Sequence, residues 1–320
     1  MLPPRWRERL RVPAIAAPMT DVSGPELVAA ACASGVMGTF PTHNAADTRE
    51  LERWLDQIAG DVLVRTPTGR QAAPVGANLV VHRSNARLAD DLRAVIRGGV
   101  EVVVASVGSP KAIVGPLHDA GIVVLADVAS LRHVDRAVAS GVDGVVLLTA
   151  GAGGQTGWAN PFAFLRAVRQ RYDGVVVLAG GVSDGAGILA AQVLGADLAY
   201  LGTRFIATTE SYASPAYREA VIAATLDDVI ASSQVSGLVA NVLTDWLQGI
   251  DVGATEPVSD GFSVDRLLAH RGVWAAGHSV SGADEVLDVA ELVDRLEYEL
   301  EQARRRLFPS GVAAAECWRS

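Results

Sequence analysis

From Val12 to Leu201 the chain repeats one motif: a short run rich in Val, Ile and Ala, a turn signal, then a longer stretch of helical period. Consecutive βα units read this way. The strand candidates are residues 12–19 (VPAIAAPM), 35–40 (GVMGTF), 73–79 (APVGANL), 100–106 (VEVVVAS), 121–127 (GIVVLAD), 144–150 (GVVLLTA), 174–180 (GVVVLAG) and 198–203 (LAYLGT). Eight units in roughly 190 residues allow about two dozen each, enough for a strand, a helix and short loops and little else. The expected fold is therefore α/β, a closed TIM (β/α)8 barrel. Composition agrees, with half of the residues hydrophobic and only 5% aromatic, which suits parallel strands covered on both faces by helices.

The helices carry their own punctuation. Ser23 before GPELVAAACAS, Ser109-Pro110 before KAIVGPLHDAG and Asn160-Pro161 before FAFLRAVRQRY are expected N-caps with proline at or near the first turn. Gly35, Gly99, Gly121, Gly141 and Gly195 are expected to stop helices. After Arg204 the period breaks. Residues 209–280 are expected as a small inserted, mainly helical segment on the substrate side; residues 1–208 with 281–308 form the barrel, and 309–320 a tail. The stretch ADEVLDVAELVDRLEYELEQARRRLF is amphipathic, and its acidic and Arg run from Glu291 to Arg306 reads as a solvated face.

A formal charge of −9 and the lack of a Lys/Arg cluster interleaved with aromatics exclude a nucleic-acid partner. No apolar run reaches the roughly 18 residues that span a bilayer, and MLPPRWRERLRVP lacks a signal-peptide core, so the expected location is cytoplasmic, with no membrane partner. Cys32 and Cys317 lack CxxC spacing. Neither a disulfide nor a metal site is expected, and Cys32 reads as a small buried hydrophobe.

Barrel chemistry sits at the C-terminal ends of the strands. The first strand ends in Ala17-Pro18-Met19-Thr20, where proline turns the chain outward, and the third in Ala77-Asn78-Leu79, an amide among apolar neighbours. The last two end in Ala179-Gly180-Gly181-Val182-Ser183 and Leu201-Gly202-Thr203-Arg204-Phe205. Glycines let backbone N–H groups approach an anion, and barrels bind phosphate after their seventh and eighth strands. After the sixth strand, Thr149-Ala150-Gly151-Ala152-Gly153-Gly154-Gln155-Thr156-Gly157-Trp158 forms a shelf almost free of side chains on which a flat ring could lie, with Gln155 its one functional group of reach. His43 follows the second strand at the same barrel face; His82 and Ser84 are alternatives after the third, and His118 and His133 fall in helical stretches as surface residues.

In combination these motifs resemble the nitronate monooxygenase and 2-nitropropane dioxygenase family and the related flavin-dependent enoyl-ACP reductases. The likeness runs from about Val12 to Glu210 and resumes at Trp274-Ala275-Ala276-Gly277-His278. It implies a non-covalent FMN, with Ala17, Pro18, Met19 and Asn78 at the ring, Ala152, Gly153, Gly154 and Gln155 beside it, and Gly180, Gly181, Gly202 and Thr203 at the phosphate. The implied reaction oxidises an alkyl nitronate with O2 to a carbonyl compound and nitrite; such barrels are also compatible with a homodimer. The chain departs from the family where Gln155 replaces the His of the AGGH motif. A carboxamide is no base near neutral pH, though it can donate hydrogen bonds to a nitronate oxygen. His278 stands where the family more often has Gln, which makes it, with Gln155 and His43, a candidate catalytic residue; its bland alternative is a polar loop position. Two rival readings remain: an NAD(P)H-dependent enoyl-thioester reductase, and a flavin-binding protein with little catalysis.

Overall fold

The apolar runs become parallel strands in a computed structural model that describes residues 2–234, 237–249, 262–269 and 272–307. In chain order the strands are β1 (Ala14–Ala16), β2 (Met37–Pro41), β3 (Val75–Val80), β4 (Val102–Ser106), β5 (Val123–Val128), β6 (Gly144–Leu148), β7 (Gly154–Gln155), β8 (Val175–Ala179), β9 (Leu198–Leu201), β10 (Val229–Ser232) and β11 (Ala240–Leu243). Eight of them, β1 to β6 with β8 and β9, close a barrel, sealed where Ile15 pairs with Tyr200. All eight expected strands are present. The first is shorter than its apolar run, because Pro13 and Pro18 flank it and neither can donate to a ladder.

Alternation along each strand splits the core in two. Inward residues Ile15, Met37, Val104, Leu125, Val146 and Val177 fill the barrel, and Trp6 of the short helix Pro4–Arg7 joins that cluster, fully buried. Outward residues such as Val103, Val124, Val145 and Val176 pack on the surrounding helices. The closing helix, Val289–Leu307, buries Leu292, Val293, Leu296 and Leu300. It lies so close to the helix Gly185–Leu194 that a Cβ on Gly185 would stand 2.0 Å from the Leu300 nitrogen.

Asn160 caps its helix as expected, accepting from the amides of Phe162 and Ala163. Ser23 does not: Gly24 is the cap residue, and the Ser23 hydroxyl instead donates to the Ala17 carbonyl and accepts from the Met19 amide, tying down the loop after β1. Pro110, with helical backbone, holds the cap position of its helix, while the Ser109 hydroxyl accepts from the Lys111 amide in the first turn at 3.4 Å. Gly35 and Gly195 end helices in left-handed conformation; Gly99, Gly121 and Gly141 also have positive φ, one residue beyond their caps. Cys32 is buried, with its thiol donating to the Pro74 carbonyl and burial pushing its pKa up to about 12. Cys317 and the expected tail lie outside the described residues.

The segment after the barrel strands contains the helices Pro215–Ala223, Thr244–Gly249 and Val264–Ala269. It also contains two strands, β10 and β11, which pair antiparallel with each other, and β11 pairs with β7. The glycine-rich loop after β6 thus becomes the edge of a three-stranded sheet.

Candidate active site

One cavity opens at the C-terminal ends of the barrel strands, enclosing with its mouth about 1400 Å³. Its lining takes in Ala17, Pro18, Met19, Asn78, Ala152, Gly153, Gly154, Gln155, Gly180, Gly181, Gly202 and Thr203, together with His43. Six chain segments that are far apart in sequence therefore meet around a single space.

The loop after β1 is held rigidly. Asn44 donates to the carbonyls of Met19 and Ser23 and accepts from the Asp21 amide, and Thr20 Oγ1 lies 3.0 Å from His43 Nε2. Asp21 has φ of 58°, a left-handed backbone uncommon outside glycine, and its carboxylate accepts from the Gly272 amide. At the end of β3, Asn78 donates to the Val104 carbonyl and accepts from Ser106.

The two glycine turns differ in purpose. At Gly180, φ is +120° and a Cβ would fall 2.4 Å from Thr149 Oγ1, so glycine is needed for close packing. At Gly181, φ is +75° and a Cβ would meet nothing within 4 Å, which leaves space beside the backbone. Thr203 is anchored by accepting from the Gly277 amide, 3.0 Å away. Arg204 does not line the cavity; it is buried behind the turn, 3.7 Å from Asp284, with burial lowering its pKa.

Gln155 sits on β7 opposite Ala240. Asn241 next to it is buried and donates to the Ala152 carbonyl (2.8 Å) and Thr156 Oγ1 (3.2 Å), bolting the inserted sheet onto the loop. The glycines of this loop serve backbone contact as much as open space: a Cβ at Gly153 would stand 2.8 Å from the Gly277 nitrogen. The WAAGH segment thus lies directly on the AGAGG loop. Above the cavity, Tyr217 stacks on Trp274 at 5.6 Å and donates to the Ala275 carbonyl.

His278 is placed differently from its expected catalytic role. It is exposed, its amide donates to the Gly151 carbonyl, its ring rests on Gly151, and it does not line the cavity. From this position His278 does not reach the cavity that Gln155 lines. His82 and Ser84 likewise serve structure: the imidazole packs edge-on against Phe262 and pairs with Ser84, whose hydroxyl accepts from the Val264 amide. His118 pairs with Asp143 at the surface, and His133 is exposed.

Among the lining residues that escaped the sequence reading are Asp127 and Tyr200. Asp127 is the penultimate residue of β5, and burial pushes its pKa up to about 7. Tyr200 lies in β9, and burial together with the Asp127 charge raises its phenol well above its ordinary value. The available signal was a carboxylate in VLAD at the functional end of a strand.

An eight-stranded barrel with a cavity at its C-terminal face, walled by glycine turns after its last two strands, is the architecture of an α/β-barrel enzyme whose site lies at that face. The chain belongs to the nitronate monooxygenase family, an oxidoreductase family whose members use a flavin: the model of that family matches residues 7–297. A nitronate monooxygenase of Paraburkholderia phytofirmans is 29% identical, over 92% of this chain and 94% of the relative. A (3aS,4S,5R,7aS)-5-hydroxy-7a-methyl-1-oxo-octahydro-1H-indene-4-carboxyl-CoA dehydrogenase of Rhodococcus jostii is 30% identical, over 75% of this chain and 65% of the relative. Among solved structures, FabK from Thermotoga maritima superposes with a TM-score of 0.78 at 23% identity, covering 94% of this chain and 96% of that one. Nitroalkane oxidase from Streptomyces ansochromogenes gives 0.77 at 24%, covering 93% and 98%. Among the described residues no helix is long and apolar enough to cross a membrane.

Proposed function

We propose that this protein binds FMN and oxidises alkyl nitronates with O2 to carbonyl compounds and nitrite. The observation that carries the reading is the single cavity on which both glycine turns, Asn78 and Gln155 converge. The residues present fit the cofactor. Gly181 has positive φ and open space where its Cβ would stand, as a phosphate cradle requires, and the floor presents buried oxygens on Asp127 and Tyr200 that lack hydrogen-bond partners among the described residues. Gly180, Gly181, Gly202 and Thr203 would hold the phosphate, and Ala17, Pro18, Met19, Asn78, Ala152, Gly153 and Gly154 would flank the ring. When bound, the flavin supplies the electron acceptor that passes electrons on to oxygen.

Gln155 orients the substrate by donating from its amide to a nitronate oxygen. It cannot remove a carbon-bound proton, so the preformed anion is the better substrate. Tyr217, backed by its stack on Trp274, walls the site and excludes water. The inserted segment is the substrate-side element, because β11 both supplies Ala240 and Val242 to the lining and fixes Gln155 in place. Anaerobic mixing of the FMN-loaded protein with a secondary alkyl nitronate should bleach the flavin band, and oxygen should restore it. A band that stays unchanged across a panel of nitronates overturns the reading.

A second reading, reduction of an enoyl thioester with NAD(P)H, is favoured by the 30% identity to a relative described as a carboxyl-CoA dehydrogenase. Anaerobic NADH oxidation dependent on an added enoyl thioester separates the two.

A further inference from the structure

The cavity floor holds two polar groups to which the reaction just proposed assigns no chemical step. Asp127 near the end of β5 and Tyr200 in β9 both line the cavity. Asp127 Oδ1 and the Tyr200 hydroxyl are buried and have no hydrogen-bond partner among the described residues. Such atoms are costly unless a ligand satisfies them. The neighbouring polar groups are already engaged, since Asn78 bonds to the Val104 carbonyl and to Ser106. The hydrogen-bonding capacity left over at the floor therefore points at whatever occupies the cavity.

Among the described residues no cation neutralises the carboxylate. Of the strands beside it, β4 brings Ser106 and β6 brings Leu148 to the cavity, and neither ionises. The helices behind β5, Lys111–Asp119 and Leu131–Ala139, contribute nothing to the lining. Across the floor stands Tyr200, and the other ionisable groups of the cavity include Asp21 and His43 on the loops after β1 and β2 and Tyr217 in the wall. Burial is the cause of the raised Asp127 pKa, which places its titration near neutral pH.

We propose that Asp127 is the proton acceptor coupled to reduction of the bound cofactor. This rests on the flavin reading. The reduced cofactor would carry one negative charge after taking up two electrons and one proton, and the Asp127 carboxylate would then take a second proton from solvent, forming a carboxyl O–H. Two negative charges sharing a water-poor floor cannot both persist, and the proton resolves the conflict. At the floor, below the glycine shelf, Asp127 serves the cofactor while Gln155 serves the substrate.

The test is an anaerobic dithionite titration of the FMN-loaded protein against a reference dye from pH 7 to 9. Each proton taken up with two electrons lowers the midpoint potential by about 30 mV per tenfold fall in proton concentration. The wild type should fall by about 60 mV per pH unit, and Asp127→Asn by about 30 mV. Equal slopes overturn the proposal. A second measurement needs no variant: the reduced-minus-oxidised infrared spectrum of the wild type should gain a protonated-carboxyl band, and its absence refutes the proposal too. If the apoprotein takes up no FMN, the flavin reading falls and this inference with it, whereas FMN uptake with equal slopes removes only the proton coupling.

Discussion

Replacing Gly181 by alanine separates a glycine kept for its backbone from one kept for its ligand, provided that Gly141 serves as control. Both have left-handed backbone, with φ of +75° and +87°. Alanine there costs about 1–2 kcal/mol of stability in either case. The added methyl is tolerated at both places: nothing lies within 4 Å at Gly181, and only Val114 Cγ1, at 3.6 Å, at Gly141. Urea denaturation should therefore show two nearly equal losses. The difference should appear with FMN. At Gly181 the methyl enters the space assigned to the phosphate and displaces at least one charge-assisted hydrogen bond, about 1.5–3 kcal/mol, or roughly 10- to 150-fold in affinity. Titration of apoprotein with FMN, followed by quenching of flavin fluorescence, should give that ratio for Gly181→Ala and wild-type affinity for Gly141→Ala. If the two variants bind FMN equally, no phosphate lies at the turn after β8 and the cofactor orientation argued above is wrong.

Three further outcomes are expected. Gln155→His puts an imidazole into the cavity and should raise kcat/KM for a neutral nitroalkane at pH 8 by about tenfold or more while leaving the nitronate within about threefold; an unchanged ratio removes position 155 from substrate handling. Asn241→Ala deletes both bonds to the loop after β6 and should destabilise by about 1–3 kcal/mol in urea while lowering kcat, because the strand bearing Gln155 loosens; an unaltered midpoint refutes the bolt. For Asp127 the folded pKa is raised to about 7, so the native state binds more protons than the unfolded one between about pH 4 and 7, and stability of the apoprotein should fall as pH rises through that window. Asp127→Asn should flatten this slope, and a slope that survives in the variant assigns it to other groups.

The period of the apolar runs was enough to find every barrel strand, since parallel strands buried on both faces leave an unbroken Val, Leu and Ala signature. It was also enough to find the face that carries the cavity, because barrel topology sends each strand's C-terminal end to one face whatever the details of packing. Local capping was less legible. Ser23 has the right residue type before a helix, but its hydroxyl is drawn to the Ala17 carbonyl by a loop fold that depends on Asn44, twenty-one residues on.

Contacts of long sequence separation were decided by tertiary structure alone. Asn241 reaches Ala152 across 89 residues, and nothing near either residue encodes that meeting. His278 and Gln155 looked interchangeable as letters, yet the backbone of Gly277 packs onto the loop so closely that the imidazole is turned out to solvent. Asp127 sits in plain view within GIVVLAD, but its chemistry depends on burial and on the lack of a cation among the described residues around it. The sequence by itself determined the barrel and the face that carries the site. Only the folded chain decided which polar groups inside that face are satisfied and which are left for a ligand, because a hydrogen bond is settled within a few tenths of an ångström and sequence periodicity carries no information on that scale.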